Sequence, residues 1–209
     1  SKSDVDNIRL LCTCRSRINY QGQNIRVGDV VFVESIDWIN SKAVITQVKP
    51  RKNHLIRPSV ANIDKIFLIL SLKQPILDID QATRFLVASE ENDVNTCILL
   101  SKSDLLSFEE VNLQVNRFRS WGYETIAISV KTGHGINDLK ESLFSSKLSV
   151  FSGPSGVGKT SLINKLLPFA GLREGELSKR LEKGRHTTRN VELYSLGNQS
   201  RIADTPGFN

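Results

Sequence analysis

An α/β domain preceded by a small all-β module is the fold class that these 209 residues predict, and three observations predict it. From residue 65 onward, short apolar runs rich in β-branched residues alternate with amphipathic stretches, the pattern of a sheet wound with helices. Before that point apolar and polar positions alternate between turn residues, with no helical period. Charge divides at the same place. Residues 1–62 carry ten Lys or Arg against five Asp or Glu, so an excess of five sits on the first module out of a net +6 for the chain.

In the first module, residues 25–33 and 43–48 read as strands punctuated by Gly22, Gly28 and Pro50. Five short strands within residues 5–60 suit a small OB-like barrel, and residues 1–61 are assigned to it. Arg51, Lys52 and Arg57, near His54, Tyr20 and Trp38, are its RNA-binding candidates: cations for phosphates, aromatic faces for bases. A solvated barrel with core aromatics is the competing reading. Residues 58–62 read as a short linker, and residues 62–209 as the second domain. Its strands are expected at 65–70, 96–100, 125–128, 148–151, 191–196 and 200–203, with helices at 81–89, 109–121, 136–144 and 159–167.

The richest motif lies between the strand ending at Phe151 and the helix beginning at Lys159. Gly153, Pro154, Ser155, Gly156, Val157, Gly158, Lys159 and Thr160, with Ser161 following, form a complete phosphate-binding loop in the strand-to-helix context the motif requires. The glycines let the backbone turn its N–H groups toward phosphate oxygens, and the helix N-terminus adds partial positive charge. Lys159 would neutralise the β- and γ-phosphates, and the Thr160 hydroxyl would ligate magnesium.

Four more elements sit at strand ends. Ser101, Lys102 and Asp104 follow the run 96–100 and resemble the Asn-Lys-x-Asp element of GTPases, in which the Asp accepts from N1–H and N2–H of guanine. Adenine offers no such donor pair, so an unmatched carboxylate would reject ATP. Lys102 would lay its alkyl stem along base and sugar, and Ser101, shorter than Asn, is expected not to span the same hydrogen bonds. Ser129, Val130 and Lys131 resemble the Ser-Ala-Lys loop whose backbone N–H meets guanine O6. Asp204 and Gly207 resemble the Asp-x-x-Gly switch, with Asp204 holding magnesium through water and Gly207 offering its N–H to the γ-phosphate. Residues 184–188 resemble the first switch, in which Thr187 or Thr188, with Thr188 favoured, closes over magnesium. The base-reading elements precede the phosphate loop, which is the order of a circularly permuted GTPase.

A basic OB-like module followed by this motif order resembles the ribosome small-subunit-dependent GTPase A family over almost the whole chain. The resemblance implies a circularly permuted P-loop GTPase that hydrolyses GTP to GDP and phosphate with Mg2+. It also implies docking on the small ribosomal subunit with contact to its rRNA, in late maturation. Because Phe208 stands where ordinary GTPases carry Gln, the resemblance points to His186 for positioning the attacking water. Gly156 occupies the position where potassium-activated permuted GTPases carry Asn, which argues against that variant. The alternative function is an RNA-binding assembly factor in which GTP only gates affinity.

Zinc belongs to a C-terminal module expected of the family and absent from this chain, so no Zn2+ is expected here. Cys12, Cys14 and Cys97 are the three cysteines, and Cys12 and Cys14 read as packing on one strand face rather than as metal ligands. The chain begins at Ser1 and has no Met, so its N-terminus is expected to be processed, trimmed or incomplete. No signal peptide or membrane run is evident, and a monomer in a bacterial cytoplasm or a plastid stroma is expected, without membrane contact.

Overall fold

The computed structural model describes residues 8–14, 24–56, 59–167, 191–197 and 199–204. Strands β1 (Leu11–Cys14), β2 (Val31–Asp37) and β3 (Lys42–Val48) form a sheet in the order β1-β3-β2, with β1 parallel and β2 antiparallel to β3. The β2–β3 turn is held by one side chain. Asp37 Oδ1 accepts from the backbone N–H groups of Ile39 and Asn40 at 3.0 Å each, and its Oδ2 from the Asn40 amide at 2.7 Å. Strands β4 (His54–Leu55) and β5 (Val60–Ala61) pair antiparallel. The described residues of the first module are thus all-β, with five short strands.

Residues 58–62, expected as a linker, contain β5 instead. Val60 and Ala61 are fully buried, and the Ala61 N–H donates to Val27 O at 2.8 Å. Asn62 looks like a turn residue in the sequence and has a φ of 57°, but its side-chain amide donates to Gly28 O at 3.0 Å, which ties the segment down. The expected packing of Cys12 and Cys14 is also corrected: Cys12 is half-buried, whereas Cys14 is exposed.

The second sheet has six strands. Strands β6 (Lys65–Ser71), β7 (Asn95–Ser101), β8 (Glu124–Ala127), β9 (Leu148–Ser152), β10 (Glu192–Gly197) and β11 (Ser200–Asp204) run in the order β10-β11-β9-β6-β7-β8. Every neighbouring pair is parallel except the β10–β11 hairpin. Buried on both faces, the central strands β6 and β7 carry continuous apolar runs instead of alternation. Helices α1 (Ile79–Glu90) and α2 (Phe108–Ser120) cover one face, placing Ala82, Leu86, Val111, Val115 and Phe118 against Leu68, Leu70, Ile98 and Leu100. Helices α3 (Ile136–Phe144) and α4 (Lys159–Leu166) cover the other, placing Leu139, Leu143, Leu162 and Leu166 against Phe67, Ile69, Leu99 and Phe151. Helix α1 starts two residues before its expected position because Asp78 caps it, accepting from the Gln81 N–H at 3.0 Å. Among the described residues, no helix is long and apolar enough to cross a membrane.

The first module seats at the N-terminal ends of these strands. Val60 and Ile63 pack with Ile66, Val94, Leu148, Val150 and Ala203. Gly28 has a φ of +88°, and a Cβ there would lie 2.2 Å from Ala61 O and 2.8 Å from the Leu148 side chain, so only glycine allows this approach. Asp64 closes the seam: Oδ2 accepts from the N–H groups of Lys147 and Leu148 at 2.9 Å each, while Lys52 Nζ donates to Oδ1 at 2.6 Å. The C-terminal ends of the parallel strands are left facing the other way, where open α/β sheets build their sites.

Candidate nucleotide-binding site

At the C-terminal end of β9 the chain turns into α4 through residues 153–158. Gly153 must be glycine, because a Cβ there would lie 2.2 Å from the carbonyl oxygen of Ile69 on the neighbouring strand. Gly158, with a φ of 99°, caps α4. Lys159 folds back over the loop it follows, its Nζ donating to Gly153 O and Pro154 O at 2.6 Å each. Thr160 and Ser161 are exposed in the first turn of α4 beside it.

The base-reading elements stand next to this loop and are bonded to it. Ser101, at the end of β7, is almost fully buried, and its hydroxyl donates to Val157 O at 2.7 Å, with Leu70 O a second acceptor at 3.2 Å. Serine is thus long enough to bond the phosphate loop directly. Strand β7 lies close enough to the loop for one hydroxyl to join them. Lys102 adopts a left-handed conformation (φ 59°, ψ 38°), which turns its side chain across the site; its Nζ donates to Gly156 O at 3.0 Å and to Gln74 O. Asp104 lies in the 3-10 turn Ser103–Leu105, anchored where the Ser103 N–H donates to Ile128 O at 3.1 Å.

Ser129 is fully buried and its oxygen does two things. It donates to Asp104 Oδ1 at 2.6 Å and accepts from the Thr132 N–H at 3.1 Å. That hydrogen bond first, then the residue's own backbone N–H and the charge of Lys131, hold the exposed Asp104 carboxyl below its ordinary range. A carboxylate offers about four acceptor sites, so the group can still accept hydrogen bonds from a ligand.

These groups enclose a cavity of about 410 Å3 lined by Ser101, Lys102, Asp104, Val130, Lys131, Val157, Gly158 and Ser161, with Ile69, Ile128 and Leu162 as apolar floor. Its volume suits a small-molecule ligand. Gln74 and Leu105 also line it, and sequence reasoning missed both. Gln74 lies on the loop after β6, outside any motif; Leu105 adjoins Asp104 and proximity alone would have suggested it. A larger, polar cavity of about 860 Å3, lined by Asp64, Lys65, Tyr123, Glu124 and Lys147 among others, lies at the opposite ends of the strands and contains none of the motif residues.

Asp204 is the last residue of β11, whose neighbour β9 leads into the phosphate loop from the same end of the sheet. Thr188, His186, Gly207 and Phe208 lie outside the described residues, as do Arg57 and Tyr20. The other RNA candidates are not brought together with Trp38. Arg51 Nε and Nη2 donate to Asp29 Oδ1 and Oδ2 at 2.7 and 2.8 Å, and Lys52 pairs with Asp64 at the module seam. Trp38 lies in the β2–β3 turn, at the far end of β3. Arg51 is thus a cation of the fold: the Asp29 side chain is 1% exposed and Arg51 21%. Burial raises the Asp29 pKa, but Arg51 and the Arg26 N–H outweigh it and leave the carboxyl below 3.8.

Comparison with known proteins agrees with this geometry. The family model described as RsgA GTPase matches residues 48–209. Over 207 residues the chain is 49% identical to a Prochlorococcus marinus (strain MIT 9303) protein described as small ribosomal subunit biogenesis GTPase RsgA, covering 99% of this chain and 64% of that protein. A Synechococcus sp. (strain CC9605) protein of the same description is 48% identical over 201 residues, covering 96% of this chain and 66% of the other. The chain therefore spans just under two thirds of the length of these relatives. Among solved structures, YjeQ from Thermotoga maritima superposes with a TM-score of 0.77 at 34% identity, covering 95% of this chain and 66% of that one. YloQ, described as a circularly permuted GTPase, gives 0.74 at 27% identity, covering 99% and 65%. Motif order, strand order and relatives agree, and the chain belongs to the RsgA GTPase family.

Proposed function

We propose that this chain binds GTP in the cavity beside Asp104 and hydrolyses it to GDP and phosphate, acting with the small ribosomal subunit in its late maturation. The observation that carries the reading is the Asp104–Ser129 pair: the Ser129 hydroxyl fixes a carboxylate that lines the cavity and keeps acceptor sites for the two donors of a guanine edge. Val130 N–H then meets O6, and the Lys102 stem lies along base and sugar. Lys159 exchanges its loop carbonyls for the β- and γ-phosphates.

The donor set suits magnesium, since the Thr160 hydroxyl is a hard oxygen ligand exposed beside the loop. Thr160, Thr188 and, through water, Asp204 would hold the ion. When bound it neutralises charge on the phosphates. Gly207 offers an N–H to the γ-phosphate, and His186 orients the water that Phe208 cannot. Residues 62–209 form the GTP-binding domain and residues 1–61 the rRNA-binding module of a monomer without membrane contact, in a bacterial cytoplasm or plastid stroma. The description of the relatives as small-subunit biogenesis GTPases supports the partner.

The test is phosphate release from GTP and from xanthosine triphosphate, with and without small subunits, by the parent and Asp104→Asn. The substitution reverses donor and acceptor, so GTP turnover at low concentration should fall about a hundredfold or more while xanthosine triphosphate turnover rises. Unchanged preference would remove Asp104 from the base site.

A further inference from the structure

The first module carries its positive charge on a shape that the GTP reading does not use. Strand β3 begins at the β2–β3 turn and runs toward Lys52, which bonds Asp64 at the seam, so the turn stands at the outer end of a seven-residue strand about 20 Å long. At that end Trp38 is 63% exposed and Ile39 94%. They are not on a slack loop, because the Asp37 carboxylate binds two backbone N–H groups and the Asn40 amide of the same turn. Strand β1 runs parallel to β3 with Leu11 opposite Lys42, and the Leu11 N–H donates to Ser41 O at 2.7 Å. The register therefore brings the residues entering β1 to the same tip: exposed Ile8, Arg9 and Leu11 stand with exposed Trp38, Ile39 and Lys42.

We propose that this turn is a base-stacking finger: Trp38 lies against an unpaired base of an RNA whose adjoining phosphates meet Arg9 and Lys42. The inference rests on the reading of the first module as an RNA-binding surface and moves its centre from Arg51, engaged by Asp29, and Lys52, engaged at the seam, to the opposite end of β3. Charge favours RNA over a protein partner. Residues 1–62 hold an excess of five positive charges, and two of their five acids are engaged within the module, Asp29 by Arg51 and Asp37 by the turn's own N–H groups. An indole on a rigid turn loses little freedom on stacking, and every base offers it a face.

The experiment uses the full 209-residue chain and a short labelled RNA, once single-stranded and once closed into a duplex stem. The parent should bind the single strand more tightly than the duplex. Trp38→Ala should weaken single-strand binding about tenfold and remove the preference, with Trp38→Phe restoring most of it. The salt dependence of Trp38→Ala should match the parent, since no phosphate contact is lost, whereas Lys42→Ala should lower the slope by about one. In a Trp121→Phe background, indole fluorescence should be quenched by the single strand alone. Unaltered circular dichroism and GTP affinity in Trp38→Ala would exclude a folding defect as the cause. Equal binding by parent and Trp38→Ala overturns the finger and leaves the RNA reading standing. A parent that binds neither RNA, or a Trp38→Ala defect seen only with a ribosomal protein, overturns both and makes the tip a protein-docking surface.

Discussion

Arg51 and Lys52 are adjacent cations in different surroundings, and the difference fixes what each is worth to stability. Arg51 faces a carboxylate that is 1% exposed, so Arg51→Ala strands a buried charge and should cost about 3 kcal/mol. Lys52, 54% exposed, meets Asp64 near solvent, and Lys52→Ala should cost under about 1 kcal/mol. Denaturant midpoints of the two variants check the contrast, and equal shifts would refute it. The chain's sequence does not advertise this pairing, because Asp29 lies 22 residues from Arg51 and reads only as one acid among five. Ser101 was obscured in another way. How far a hydroxyl must reach is set by the spacing of β7 and the phosphate loop, and residue type alone is silent on it. Gly153, Lys159 and Asp104, by contrast, were legible, since each motif couples residue identity to a fixed local turn.

Helix α2 is the element whose ends are best defined. The Ser107 hydroxyl accepts from the Glu110 N–H at 3.3 Å, and the Glu110 carboxylate accepts from the Ser107 N–H at 2.8 Å, a reciprocal cap that also holds the Glu110 carboxyl below its ordinary range. Ser107→Ala should therefore lower stability by about 1 kcal/mol, measured by chemical unfolding, without altering nucleotide affinity. A loss of GTP binding in that variant would mean that the cap also positions the Asp104 turn. All six strands of the second sheet were legible to within a residue or two: the central parallel strands, buried on both faces, leave near-continuous apolar runs, and the β10–β11 hairpin at the edge leaves alternation. Strand β5 was not. Two residues carry no period, and Val60 and Ala61 are strand only because Leu55 and Val27 meet them across the chain.

Across the whole molecule the seam between module and sheet is polar at its rim, and that gives it a pH dependence. Burial raises the Asp64 pKa, but the Lys52 hydrogen bond and the N–H groups of Lys147 and Leu148 overcome it and leave the folded value below 3.8. A depressed carboxylate stabilises the fold above its ordinary pKa, and the contribution is lost as pH falls through 3.8 toward the folded value. Asp29 acts in the same direction. Melting temperature should therefore drop as pH falls below about 4, and Asp64→Asn should flatten the drop; an equally steep fall in that variant would assign it elsewhere. The strand order has a further consequence, for synthesis. Strands β6, β7 and β8 emerge consecutively and are neighbours, β9 then adds to the free side of β6, and the β10–β11 hairpin adds to β9. Each addition, a single strand up to β9 and then the β10–β11 hairpin as a unit, meets an open edge, so no finished pairing has to be broken to admit it.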